Sequence, residues 1–150
     1  MRRMDPMNAD LRDDHESVRE ANDRFYRALE ELDLEAMEDA WLQAPFAYCV
    51  HPQSDAFVGW PAVRASWAKV FAKTRWMRVT PTADRVEIMG SVAVVTCAEN
   101  ITVQSNDDVT VAVASATNLF MKTRDGWRLF HHHASLVPVQ VTHPFTGTIQ

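Results

Sequence analysis

The chain is short of several things at once. Only two of its 150 residues are cysteine and only four are glycine. Two thiols in a chain this long make no disulfide framework. Cys49 and Cys97 both lie in apolar, strand-like stretches and read as buried free thiols of a cytoplasmic protein. The scarcity of glycine excludes collagen-like sequence, and no glycine-rich loop is present to cradle a phosphate. Nucleotide-dependent chemistry and a flavin or nicotinamide function are therefore not expected, and no cofactor is. No run of about 18 apolar residues exists to cross a membrane. The opening Met1-Arg2-Arg3-Met4-Asp5-Pro6 has two positive charges but no apolar segment after them, so it does not read as a signal peptide. Basic residues are also in deficit: 15 Lys and Arg against 20 Asp and Glu give a net charge of −5. Nucleic-acid binders draw much of their affinity from phosphate contacts, so no nucleic-acid partner is expected.

What is present is enough apolar residue for one core in one 17.0 kDa domain, and five tryptophans whose placement needs an account. Residues 1–12 are polar, charged and aperiodic, and are expected to form a disordered arm. From Asp13, apolar residues recur at spacings of three and four (Val18, Ala21, Phe25, Ala28, Leu29, Leu32), which predicts an amphipathic helix ending near Asp33. Asp33 can cap a second, short helix carrying Leu34, Met37 and Trp41. Residues 46–50 read as a short strand, and Phe57-Val58 as another. Gly59-Trp60-Pro61 opens a third helix, with proline in the first turn where its missing N–H costs nothing.

After Thr74 the chain turns rich in Val, Thr and Ile. Turn signals at Gly90-Ser91, at residues 105–108 and at Asp125-Gly126 divide it into four strands, near 77–89, 92–104, 109–123 and 127–137. Short connections make them an antiparallel meander. The expected architecture is α+β: a curved sheet wrapped around three N-terminal helices. The domain is expected over 13–137, followed by a tail at 138–150.

Several chemical groups stand out. Glu99 sits mid-strand between Cys97 and Ile101 on its face. It reads either as a pocket carboxylate with a raised pKa, serving as general base, or as an exposed residue paired with an arginine. Asn118 is placed by the meander on the neighbouring strand, with Phe120 on its face; it can orient a ligand carbonyl or be a buried amide satisfied by backbone. His51 ends the first strand, as a proton-transfer group or a surface-loop histidine. Strict alternation along the last strand puts Trp127, Leu129, His131, His133 and Ser135 on one face and Arg128, Phe130, His132 and Ala134 on the other. His131 and His133 could bind a metal with His51, Glu99 or Asp84 as third ligand. No cupin, HExxH or CxxC pattern supports this, so no metal is expected. No nucleophile motif is present. Trp41, Trp60, Trp67, Phe71, Phe25 and Tyr26 lie on or beside helices facing the sheet; some should line an apolar pocket.

Gly-Trp-Arg-Leu-Phe-His-His-His-Ala-Ser at 126–135 resembles the last-strand signature of the SnoaL-like branch of the NTF2-like superfamily. The helix junction at 27–37, the stretch from Gly59 through Trp67 to Phe71, and Val95-Thr-Cys-Ala-Glu-Asn100 resemble other parts of that fold in the same order. The resemblance implies a cone-shaped sheet, a homodimer, and a pocket between the concave face and the helices. It implies cofactor-free acid/base chemistry (isomerase, cyclase, dehydratase or hydrolase) on a small apolar ligand, or a non-catalytic dimerisation or ligand-binding module. Glu99, His51 and His132 are its candidate catalytic residues. Asn118, Phe120, Trp67, Phe71, Trp60, Tyr26 and Trp41 are its candidate ligand contacts, Tyr26 as a donor to an oxyanion. The last strand is also similar to that of calmodulin-dependent kinase association domains, which implies that His132 faces the pocket and His131 and His133 face outward.

Overall fold

A computed structural model describes the backbone of residues 6–138, with side chains from residue 13 on. Three helices come first or between short strands: α1 (Pro6–Glu30), α2 (Leu34–Ala40) and α3 (Trp60–Lys73). The strands are β1 (Tyr48–Val50), β2 (Ala56–Val58), β3 (Trp76–Met89), β4 (Val92–Ser105), β5 (Asp108–Thr123) and β6 (Gly126–Leu136). They form one curled, unclosed sheet in the order β2-β1-β6-β5-β4-β3. The four long strands make the expected meander. The sheet is nevertheless mixed, because β1 pairs parallel with β6, Cys49 lying opposite His132. Helix α1 starts at Pro6 rather than Asp13, so residues 6–12 continue the helix where a disordered arm was expected. Proline suits a first helical turn, and the residues after it include the helix formers Met, Ala and Leu. The tail at 139–150 lies outside the described residues. No described helix is long and apolar enough to cross a membrane.

The amphipathic stripe of α1 does what its spacing requires. Val18, Ala21, Phe25, Ala28 and Leu29 are buried against the concave face of the sheet. Asp33 caps α2 by accepting from the Ala36 N–H at 3.0 Å. On β4 the buried positions alternate as Ala93, Val95, Cys97 and Glu99, and on β5 as Ala114, Ala116, Asn118 and Phe120. On β6 the alternation breaks. Leu119 pairs with His131 but Phe120 pairs with Leu129, so Phe130 is an extra, bulged residue. The strict two-residue period is therefore corrected: Trp127, Leu129, His132 and Ala134 share the buried face, while His131 and His133 point the other way.

Candidate functional site

The concave face brings four of the sequence-derived candidates together on one hydrogen-bonded chain. The Tyr26 hydroxyl donates to Glu99 Oε2 at 2.7 Å. Asn118 Nδ2 donates to Tyr26 Oη at 3.1 Å and to Asn22 Oδ1 at 2.9 Å. His132 Nδ1 lies 2.6 Å from Asn118 Oδ1. An amide oxygen only accepts, so Nδ1 carries the hydrogen and Nε2 of the neutral ring is a bare acceptor. Cys97 Sγ is 3.2 Å from Tyr26 Oη and donates to it, since the tyrosine hydrogen is directed to Glu99. The chain is deep: Glu99 is 3% exposed, Asn118 0% and His132 2%.

Burial sets the protonation states. Desolvation pushes the Glu99 carboxyl up to about 7, with the Tyr26 hydrogen bond pulling it partly back. Desolvation, reinforced by Glu99 and Cys97, raises Tyr26 well above the phenol range, so it stays a donor. The buried His132 is held down at about 3, first by desolvation and then by the other histidines, and is neutral at physiological pH. The thiols of Cys49 and Cys97 are pushed up by burial and are unreactive as nucleophiles.

His51 is not on this chain but lies beside it. Its Nε2 is 2.9 Å from Ser66 Oγ, and Ser66 donates its own hydrogen to Val63 O at 2.6 Å. Nε2 of His51 is therefore the protonated nitrogen and Nδ1 the bare one. Desolvation lowers its pKa to about 4. Trp67 connects the two groups: its ring is 4.5 Å from that of His51, edge to face, and 5.9 Å from that of His132. Phe71 packs on Trp67 at 6.0 Å and Phe25 at 5.7 Å. Phe120 is fully buried two residues along β5 from Asn118.

Trp41 and Trp60 pair with each other at 6.1 Å and take no part in these ring contacts. Trp41 also donates from Nε1 to Met37 Sδ at 3.3 Å. Trp41 and Trp60 thus form a pair of their own beside the Trp67 group. A cavity of about 730 Å³ is lined by Trp41 but lies between α1, α2 and the β5–β6 hairpin, with Arg24, Arg27, Arg128 and Asp125 on its walls. A smaller one of about 130 Å³ reaches Asn22 under the Arg19–Asp84 ion pair. Trp76 opens β3, nearly half exposed, with the Arg78 guanidinium 5.9 Å above its ring. Among the described residues no group of three His, Cys, Asp or Glu side chains is placed to hold a metal ion. His131 instead stacks on Tyr48 at 4.7 Å.

Asn22 and Ser66 escaped the sequence reading. Each is a polar residue on an otherwise buried helical stripe: Asn22 lies one turn before Tyr26, and Ser66 lies between Val63 and Trp67. That interruption of the apolar pattern was the available signal.

The sequence matches the SnoaL-like domain family over residues 18–140. The chain belongs to that family. It is 35% identical to a proposed dehydratase of the NTF2-like family from Streptomyces avermitilis, covering 83% of this chain and 96% of that one, with a TM-score of 0.78. It is 27% identical to a proposed calcium/calmodulin-dependent protein kinase type II association domain from Thiobacillus denitrificans. That match covers 79% and 93% of the two chains, with a TM-score of 0.68. An NTF2-like superfamily protein from Salmonella enterica, 17% identical over 86% of this SnoaL-like chain and 94% of its own, shares the fold with a TM-score of 0.76. The F-box protein SKIP8 of Arabidopsis thaliana is 25% identical over 77% of this chain, which spans about half (48%) of that protein's length.

Proposed function

We propose that this SnoaL-like domain is a dimeric, cytoplasmic small-molecule-binding protein. In this reading its buried carboxyl group serves cofactor-free proton transfer on a small apolar, carbonyl-containing compound. The reaction types are isomerisation, cyclisation, dehydration or hydrolysis. The observation that carries this reading is Glu99, 3% exposed on the concave face and brought by burial to about 7. A carboxyl group poised there both takes and gives a proton near neutral pH. Tyr26, Asn118 and His132 fix its surroundings. The likeness to a proposed dehydratase supports a reaction of this class, and the two free buried thiols suit a reducing compartment.

A thermal-shift screen of neutral carbonyl compounds tests the reading. Ligands that raise the melting temperature of the wild type should do so less in Glu99→Gln, whose fold is unchanged. Binders indifferent to the substitution would remove Glu99 from the site. The second reading, a non-catalytic association module, is favoured by the likeness to the proposed kinase association domain. It predicts self-association, with no turnover of any carbonyl compound that binds.

A further inference from the structure

The donors of His132, Asn118 and Tyr26 on the Glu99 chain already have their acceptors. His132 Nδ1–H goes to Asn118, both amide hydrogens of Asn118 go to Asn22 and Tyr26, and the Tyr26 hydroxyl goes to Glu99. A ligand oxygen entering the cone would have to break this chain to be polarised by any of them. One buried donor is unclaimed. Among the described residues, Trp67 Nε1 is the buried side-chain polar atom with no hydrogen-bond partner, and Trp67 is 2% exposed. A buried donor left unmatched is costly, and a native fold that keeps one calls for an acceptor from outside the chain.

The surroundings state what kind of acceptor. Trp67 is ringed by His51 at 4.5 Å, Phe25 at 5.7 Å, His132 at 5.9 Å and Phe71 at 6.0 Å. Both histidines hold their hydrogens on the nitrogen facing a protein oxygen, which leaves His51 Nδ1 and His132 Nε2 as bare acceptors. Neither imidazole supplies a positive charge, and Glu99 shares the interior, so a carboxylate or phosphate finds no counter-ion here. Of the four rings around the indole, those of His51 and Phe71 are half-buried and those of Phe25 and His132 are fully buried.

We infer that the indole N–H of Trp67 is the anchoring donor for a neutral carbonyl or hydroxyl oxygen on the ligand, making Trp67 the residue that selects oxygen-bearing compounds over hydrocarbons of the same shape. The inference rests on the concave interior being the ligand site, and it assigns the oxygen to Trp67 rather than to Tyr26 or Asn118.

The five indole N–H resonances of ¹⁵N-labelled protein read this directly, with Trp67→Phe assigning one of them. Titration with cyclohexanone should move the Trp67 resonance saturably, and titration with the hydrocarbon isostere methylenecyclohexane should not. Trp67→Phe keeps an aromatic ring but no donor, and should weaken cyclohexanone about fivefold while leaving methylenecyclohexane unchanged. A Trp67 resonance unmoved by the ketone overturns the inference, as does a Trp67→Phe protein that keeps the preference for the ketone. The wild-type titration decides even if the variant does not fold. Glu99→Gln separates this inference from the acid/base reading. A Trp67 response that persists in a protein without Glu99-dependent behaviour sinks that reading alone. Glu99-dependent binding without a Trp67 response sinks this one alone.

Discussion

At the scale of single residues, the interior is governed by the cost of burying charge. Glu99 binds its proton more tightly folded than unfolded, its pKa rising from 4.5 to about 7. Its contribution to stability is therefore complete below about 4.5 and is lost as pH rises through 7. His51 and His132 act in the opposite sense. Their folded pKa values, about 4 and about 3, lie below the ordinary 6.5. Their contribution is complete above 6.5 and is lost as pH falls. The opposing slopes overlap between 4.5 and 6.5, so the melting temperature of the wild type alone does not isolate Glu99. The difference between Glu99→Gln and wild type does, because the histidine parts cancel. Glu99→Gln should become progressively more stable relative to wild type from pH 5 to pH 8, by up to a few kcal/mol; a flat difference would mean that Glu99 titrates normally. Tyr26→Phe should act on the same group, removing the hydrogen bond that lowers its pKa. Carbon-13 titration of the Glu99 carboxyl should then show a midpoint above that of wild type. Much of this site was legible in the sequence, because a Glu in mid-strand and an Asn on the adjoining strand are anomalies in an apolar pattern. The proton directions were not, because they follow from which atoms meet across α1, β4, β5 and β6.

At the scale of elements, one device sets the register of β6 and a second protects the edge of the sheet. The bulge at Phe130 adds one outward residue to β6, so that Leu129 and His132 both face inward. Sequence alternation assumes a period of two and has no means of locating an inserted residue, so the face of His132 was reached by family likeness and not by counting. Periodicity is silent on the helix start for a related reason: residues 6–12 are polar and aperiodic, yet they continue a helix whose buried stripe begins at Val18. The second device protects the open edge. Strand β3 ends the sheet, and its edge N–H groups are sites for unwanted pairing. Pro81 has no N–H to offer, and Glu30, the last residue of α1, accepts from the Val79 N–H at 2.9 Å. Glu30→Ala should cost about 1–2 kcal/mol, seen as a lower urea midpoint with unchanged slope. It should also speed amide exchange at Val79 ahead of its neighbours on β4. An unchanged Val79 rate would mean that the contact adds nothing to the edge.

At the scale of the whole molecule, the curled sheet has one covered face and one bare one. The concave face is closed by α1 and α3. On the outer face Tyr48 and His131 stack, Phe46 meets Phe130 edge-on at 5.9 Å, and Val111 is 75% exposed. Exposed aromatic and aliphatic side chains on one sheet face, set among Thr, Ser and His, are the mixture that interfaces use. In the dimer proposed above, a second copy of the chain covers that face. Sedimentation at micromolar concentration should then give about twice 17.0 kDa. Val111→Asp places a charge on that face at a position that contributes little to the monomer's own core. Its effect on the fold of the monomer should stay within about 0.5 kcal/mol, while the dimer should dissociate. The melting temperature of the wild type should rise with protein concentration and that of the variant should not, because association stabilises by mass action. A wild-type protein that sediments as a monomer, or whose melting temperature is independent of concentration, would leave His131 and Tyr48 as ordinary surface residues.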